Sequence, residues 1–364
     1  MEGLVVDPAF WRGRRVFVTG HTGFKGSWLT FWLRRMGAQV SGYALAPETQ
    51  PSLFQVLGLD GHPDDVLADI GEAERVRERI RLFQPEIVLH LAAQALVRRS
   101  YDEPVETFAT NVVGTAAVLD AVRAAPSVKA VVVVTSDKCY DNREWDWPYR
   151  EIDPLGGRDP YSASKGAAEI VIDSMRRSFF APYRPGAHPA RIASVRAGNV
   201  IGGGDWSTDR LIPDIIRACL GEGAAVKLRS PHAVRPWQHV LEPVAAYLAL
   251  AQRLCTAEAG VDEAFNIGPS DSDCRPVADV TRQLIDALGA GALDYDANDA
   301  NPHEAQLLRL DCSKARARLG WRPRLSLERA IAMTAEWYKR VDAGEDAAAV
   351  TAEQIAEFEA LSPA

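Results

Sequence analysis

Ser136, Asp137 and Lys138 set a hydroxyl, a carboxylate and an amine in succession, and Tyr161 and Lys165 follow downstream, four residues apart. A hydroxyl can hold a substrate oxygen in register, a carboxylic acid can give a proton, and a neutral amine can take one. On a helix, residues at i and i+4 share a face one turn apart, so Tyr161 and Lys165 would stand side by side. A free phenol titrates near ~10, and poising it near neutrality takes roughly 3 units, or about 4 kcal/mol; an adjacent ammonium acts in that direction. An ordinary helix-face pair and a strand-end turn aspartate are the plain alternatives.

The residues before Ser136 explain how such groups would be presented. Val131-Val132-Val133-Val134 is a run that needs burial on both faces, as in a central strand of a parallel sheet. Ligands of open α/β sheets lie beyond the carboxyl ends of the strands, where this run delivers Ser136, Asp137 and Lys138.

Nearer the N-terminus, the short β-rich run Arg15–Thr19 leads into Gly20-His21-Thr22-Gly23-Phe24-Lys25-Gly26 and then a helical pattern through Trp28, Leu29 and Trp32. Strand, glycine turn and helix form the context a dinucleotide fingerprint requires. Gly20 would permit the turn, Gly23 would let backbone amides reach a pyrophosphate, and Gly26 would let the helix lie close to the sheet. Thr22, Phe24 and Lys25 would share that contact, and the helix N-terminus would favour phosphate. A plain strand–turn–helix corner is the bland reading. Ala38–Ala44 reads as the second strand. Its end (Tyr43, Ala44, Leu45) has neither an acid for a ribose nor an arginine for a 2′-phosphate, which leans to NAD.

Asp65–Ala68 reads as a third strand. Asp69, with Ile70, would meet an adenine amino group or cap a helix over Glu72–Phe83. Glu86–Ala93 reads as a fourth strand whose end, Leu91, Ala92 and Ala93, allows close cofactor approach, with His90 as a core histidine. A long helix is expected over Pro104–Ala125, with Asn111 tying it to the active-site strand. Asp141–Asp159 is acidic, aromatic and irregular, suiting either a lid or a subunit contact.

The expected fold is α/β: a Rossmann-type, doubly wound parallel sheet over residues 1–198, to which the chain returns at about 237–266, and a smaller C-terminal α/β substrate-binding lobe over 199–364. Helices are expected at Leu211–Leu220, Leu241–Leu254, Val277–Leu288 and Leu327–Val341, with the Ala/Glu-rich tail Asp342–Ala364 as a surface helix. A net charge of −8 argues against nucleic acid and anionic membrane. Met1–Phe10 has no signal-peptide core, and no run approaches the ~18 apolar residues of a membrane helix. The five cysteines are scattered and no histidine pair has ligand spacing, so reduced thiols, no metal and a cytoplasmic location are expected.

The glycine turn, His90–Gln94 (HLAAQ), Tyr161–Lys165 (YSASK), Asn199–Gly202 (NVIG), Arg235–Val240 (RPWQHV) and Phe265–Gly268 (FNIG) together resemble the extended short-chain dehydrogenase/reductase family, from about Arg14 to Pro323. Within it, Ser136-Asp137 resembles the nucleotide-sugar 4,6-dehydratases. Lys138 in place of their glutamate, with Thr19–Leu29 and Thr135–Asn142, is similar to those acting on CDP-glucose. The resemblance implies NAD as cofactor and CDP-glucose as substrate. Oxidation at C4, loss of water across C5–C6 and hydride return to C6 would give a 4-keto-6-deoxy sugar for deoxysugar biosynthesis, such as lipopolysaccharide O-antigen. It assigns Tyr161 as the C4 base, Asp137 as the acid for the 6-hydroxyl and Lys138 as the C5 base, or as a charged stabiliser of the enolate. It matches Asn199 and Arg235 to diphosphate contacts. Arg210, Lys227 and Arg229 are further cations of that lobe, and His303 and Glu304 would border the nucleoside. A homodimer through the helices near Pro104–Ala125 and Pro160–Phe180 is implied. A 4-epimerase needs only Tyr161, Lys165 and NAD, and an NAD-sensing, inactive member of the fold is the non-enzyme alternative.

Overall fold

Val131 to Val134 run through the middle of a seven-stranded sheet, and their side chains alternate between its faces. In this computed structural model, which describes residues 4–181, 186–222, 225–295 and 305–361, Val132 and Val134 join the core on one face while Val131 and Val133 join the core on the other. The alternation is the pleat's period of two, and burial of both sets is what forces a valine at every position.

Six strands precede the lobe: β1 (Arg15–Thr19), β2 (Gln39–Ala44), β3 (Val66–Leu67), β4 (Ile87–His90), β5 (Ala130–Val134) and β6 (Arg191–Ala197). The sheet order is β3-β2-β1-β4-β5-β6, closed by the strand Ala264–Ile267 beside β6, and every pairing is parallel. The order turns back between β1 and β4, so a crevice opens there at the carboxyl ends of the strands.

Phe24–Arg35 and Leu241–Cys255 cover one face of the sheet through residues such as Trp28, Leu33, Val244 and Leu248. Ala73–Phe83, Gly114–Arg123 and Pro160–Phe179 cover the other through Val76, Ile80, Val118, Leu119 and Ile172.

Three expectations change. Pro104–Arg123, at 20 residues, has the length and apolar composition of a membrane-crossing helix, although no such stretch was expected. Part of its apolar face is spent on the sheet, through Val118, Leu119 and Val122, and Asp120 on it pairs with Arg77 at 2.7 Å. The helix expected over Leu211–Leu220 stops at Ile216 and passes into a wider turn, Arg217–Glu222, in which Gly221 leaves helical geometry. The tail helix, Ala347–Ala360, is docked rather than superficial. Ala347, Val350, Thr351, Gln354, Ile355 and Phe358 form one buried stripe, Phe358 meets Trp32 edge-on, and Trp337 Nε1 donates to Thr351.

The segment 141–159 ties the chain after β5 to the 307–311 stretch. Tyr149 stacks on Tyr140 and on Trp145, and exchanges backbone hydrogen bonds with Arg309 and Asp311. Asn142 donates to the Leu307 carbonyl.

Candidate active site

β5 ends at Val134, and the chain turns at once. Ser136 accepts from the Lys138 amide at 3.2 Å and so caps the short 3₁₀ turn Asp137–Cys139. The same hydroxyl donates to Asp137 Oδ1 at 3.0 Å. Asp137 is 3% exposed, and its other oxygen, Oδ2, is buried without a partner. Burial pushes the Asp137 carboxyl above its ordinary range, against the pull of Lys138, Ser136 and Arg235. Lys138 is half-buried and lines the same cleft.

The Pro160–Phe179 helix brings in the second pair. Asp159 caps it by accepting from the Ser162 amide at 2.9 Å, and Pro160 opens its first turn. The Tyr161 amide donates to Ser100 at 3.1 Å. Lys165 Nζ lies 6.0 Å from the Tyr161 ring centroid, and both side chains are buried. Burial pushes the Tyr161 phenol up to about 12, while a hydrogen bond with Ser136 works against it. Burial also pushes the Lys165 ammonium down to about 8, and Glu169, one turn further along the helix, holds it up.

Asn111 does not reach β5, as the sequence suggested. Its amide bridges the Gln94 main chain, at 2.9 Å and 3.0 Å, to Ser164 at 2.8 Å, and so fixes the Tyr161 helix against the segment after β4. His90 is a core histidine, held between Thr19 and Thr115 at 2.6 Å and 3.0 Å and kept neutral by burial, its pKa lowered to about 3.

The glycine turn has the form a bound dinucleotide needs. Gly20 has φ +74°, and a Cβ there would lie 2.7 Å from the Ala92 amide nitrogen. A Cβ on Gly26 would collide with the Gly20 carbonyl, whereas one on Gly23 would meet only that carbonyl, at 3.5 Å. Gly20 and Gly26 therefore let backbone approach backbone, and Gly23, at the helix N-cap, leaves its outer side open to a pyrophosphate. Ala92 and Leu91 donate their amides to Thr19 Oγ1, which pins the β4 end against the turn. Thr22 is turned to the Leu45 carbonyl at 2.9 Å, at the end of β2. Asp69 accepts from the Gly71 amide at 2.6 Å and so closes the turn ahead of the Ala73–Phe83 helix, while Ile70 packs on Gly114. Ala93 follows Ala92 in the extended chain after β4. Phe24 and Lys25 line the cleft, and Lys25 is half-buried. Burial, then Arg210 and Lys165, push its ammonium down to about 7.

From the lobe, Asn199, Arg210, Lys227, Arg229 and Arg235 line the same cleft as Ser136, Asp137, Lys138 and Tyr161. Arg210 pairs with Asp205 at 3.2 Å and Arg229 with Asp209 at 3.2 Å, while Lys227 is exposed. Arg235 is 2% exposed, with donors on the Val234 and Ala305 carbonyls. His303 and Glu304 lie outside the described residues.

Two features were not anticipated. Glu169 sits in a buried network that takes hydrogen bonds from Thr135 at 2.5 Å, Ser194 at 2.9 Å and Arg196 at 2.8 Å. Its i+4 spacing from Lys165 was the available signal. Arg98, in the short helix Val97–Asp102, lines the cleft opposite the lobe; only its place after HLAAQ hinted at it.

The family model described as GDP-mannose 4,6 dehydratase matches residues 17–334. A CDP-glucose 4,6-dehydratase from Salmonella typhimurium is 49% identical over 354 residues, 97% of this chain and 98% of the relative. Among solved structures, a double mutant of the dTDP-glucose 4,6-dehydratase DesIV from Streptomyces venezuelae, with NAD and DAU bound, aligns with TM-score 0.74 and 25% identity over 89% of this chain and 97% of its own. A UDP-glucose 4-epimerase from Thermotoga maritima shares the fold, with TM-score 0.76 and 24% identity over 90% of this chain and 99% of its own. On the matched span and the near full-length likeness to the Salmonella relative, the chain belongs to the GDP-mannose 4,6 dehydratase family of extended short-chain dehydrogenases/reductases.

Proposed function

We propose that this chain is an NAD-dependent 4,6-dehydratase that converts CDP-glucose to CDP-4-keto-6-deoxyglucose. The observation that carries the reading is Asp137: a buried carboxyl with raised pKa and one unpaired oxygen, set between Ser136 and Lys138 in the cleft that Tyr161 also lines. An epimerase has no use for such an acid; a dehydratase must protonate a departing hydroxyl. The cytosine base rests on the Salmonella relative.

NAD, when bound, supplies the hydride acceptor for C4 and the donor for C6. Gly20, Gly23 and Gly26, with Thr22, Phe24, Lys25, Leu91, Ala92 and Ala93 around them, would hold its pyrophosphate and ribose, and Asp69 and Ile70 its adenine side. Tyr161 takes the proton of the sugar 4-hydroxyl, and Lys165 lowers the cost of the phenolate by its charge. Ser136 holds the 4-oxygen. The resulting ketone acidifies C5–H, which Lys138 removes. Asp137 gives its proton to the 6-hydroxyl, which leaves as water, and Lys138 returns a proton to C5 as C6 is reduced. Arg210, Lys227, Arg229 and Arg235 neutralise the diphosphate, and Asn199 offers it a hydrogen bond.

The test is isotopic. CDP-glucose deuterated at C4 should give product with that deuterium at C6 of the same molecule. Deuterium lost to water, or retained at C4, would sink the reading, and a 4-epimer without keto product would favour the epimerase.

Assembly as a homodimer is supported by the outer faces of two adjoining helices, where Val105, Val113 and Ile170 stand 81%, 60% and 60% exposed on Pro104–Arg123 and Pro160–Phe179. A cytoplasmic location accords with five cysteines that form no disulfide. The product would feed deoxysugar assembly, with lipopolysaccharide O-antigen as one destination.

A further inference from the structure

Across the mouth of the cleft, one aspartate is shared by arginines from opposite walls. Asp209 Oδ1 lies 3.7 Å from Arg98 Nη1, on the short helix after β4, and 3.2 Å from Arg229 Nη1, just past the lobe strand Ala225–Leu228. Arg229 Nη2 also reaches the Asp209 carbonyl at 3.4 Å. All three residues line the cleft that holds Ser136, Asp137 and Tyr161. Asp209 takes a left-handed backbone, φ +57°, which aspartate, asparagine and glycine tolerate best.

Side-chain exposures of 38% for Arg98, 45% for Asp209 and 27% for Arg229 make these solvent-screened pairs, and such pairs are weak and readily exchanged. A single carboxylate is also a poorer match for two guanidiniums than a diphosphate, which has more charge and more acceptor oxygens.

We propose that Arg98 is a ligand of the substrate's diphosphate from the wall opposite Arg229, and that Asp209 holds both guanidiniums in the place the diphosphate takes over. The inference rests on the nucleotide-sugar reading above. It adds a binding residue on the sheet side of the cleft, and it makes Asp209 a competitor of the ligand. Removing the Asp209 charge therefore strengthens binding, the reverse of what loss of a structural ion pair would do.

Titration calorimetry on the NAD-loaded protein tests this with CDP, dTDP and cytidine as probes. Asp209→Asn keeps the backbone preference and removes the charge. It should tighten CDP about two- to fivefold, the scale of one exposed ion pair, and leave cytidine unchanged. Arg98→Gln should weaken CDP about 10- to 100-fold, the scale of a lost charged hydrogen bond, with cytidine again unchanged and Arg98→Lys recovering part of the loss. In Arg98→Gln/Asp209→Asn the tightening should shrink, because one of the two released cations is gone. Weaker or unchanged CDP binding in Asp209→Asn overturns the proposal, as does unchanged CDP binding in Arg98→Gln. A wild-type preference for dTDP over CDP would instead overturn the base assignment, and the same variant comparison read with dTDP would still decide this inference.

Discussion

Glu169 Oε2 and Arg196 Nη2 meet at 2.8 Å, with side chains 3% and 5% exposed. The pair joins the helix of Tyr161 and Lys165 to β6, and its surroundings extend it. Thr135 and Ser194 donate to Glu169, Arg196 Nη1 donates to Tyr140 at 2.9 Å, and Tyr140 donates to Asn266 at 2.6 Å. Arg196→Met should leave a carboxylate buried without its counter-ion and cost about 3–5 kcal/mol, read as a lower denaturant midpoint. Glu169→Gln/Arg196→Met, with neither charge present, should recover much of that loss. An unchanged midpoint in the single variant would show that the pair carries little.

Asp137 should be a source of instability that function requires. Its folded pKa is raised, chiefly by burial. The folded protein then holds a proton that the unfolded chain releases near pH ~4. The stability this gives is full below the unfolded value and is lost as pH rises through the folded value. At pH 8 the unfolded chain gains from ionising this carboxyl while the folded protein resists it, so Asp137→Asn should melt above the wild type there, and the gap should close toward pH 4. The same variant should lose about 10²- to 10⁴-fold in kcat, the scale of one general acid. Equal melting temperatures at pH 8 would contradict the burial argument.

What the sequence reveals and what it hides divides along contact distance. The valine run and the glycine turn are local, and their patterns carry the sheet's centre and the cofactor corner without outside help. Tyr161 and Lys165 are likewise fixed by helical spacing. Arg196 and Glu169 come from separate elements, and nothing in either stretch announces that they meet. The same holds for Arg98 and Asp209, which approach only because the lobe folds over the sheet. The tail helix was misread for another reason. Its stripe from Ala347 to Phe358 has helical spacing, but Ala347, Thr351 and Gln354 supply half of it, so composition masked the periodicity.

Two glycines six and three residues into the turn should respond differently to one methyl group. At Gly26 a Cβ would strike the Gly20 carbonyl, which is backbone and cannot swing aside, so Gly26→Ala should lower the melting temperature and the yield of folded protein. At Gly23 a Cβ finds ordinary contact at 3.5 Å. Gly23→Ala should melt near the wild type yet bind NAD about 10-fold or more weakly, because the methyl stands where a pyrophosphate would come against the helix amides. Calorimetry with NAD and a melting curve on each variant separate the effects. Unchanged NAD affinity in Gly23→Ala would remove the pyrophosphate from this corner.

Lys165 should set an alkaline limit on activity. Its ammonium is pushed down to about 8 by burial, so its charge is present below that pH and disappears above it. Tyr161, pushed up to about 12, depends on that charge to form a phenolate. In the free protein, kcat/KM should bend downward above pH ~8. Lys165→Met should be slower by about 10²-fold or more at pH 7 and should lack that bend, since the titrating group is gone. A bend that survives in Lys165→Met belongs to another residue.

Lys138 decides between two descriptions of the elimination. Its amine lines the cleft one residue from Asp137, so it can reach C5–H as a base or stay charged beside an enolate. Exchange of the C5 proton with deuterated water distinguishes the two, because exchange requires a group that takes the proton and returns it. If this position is a base, Lys138→Glu should keep the exchange, since a carboxylate can do the same work, and Lys138→Met should lose it by about 10²-fold or more. If the amine only stabilises charge, Lys138→Met should still exchange, slowed alongside dehydration, while Lys138→Glu should suffer most because it sets a negative charge against a developing one. The base role is the expected result, and exchange persisting in Lys138→Met while Lys138→Glu is silent would reverse it.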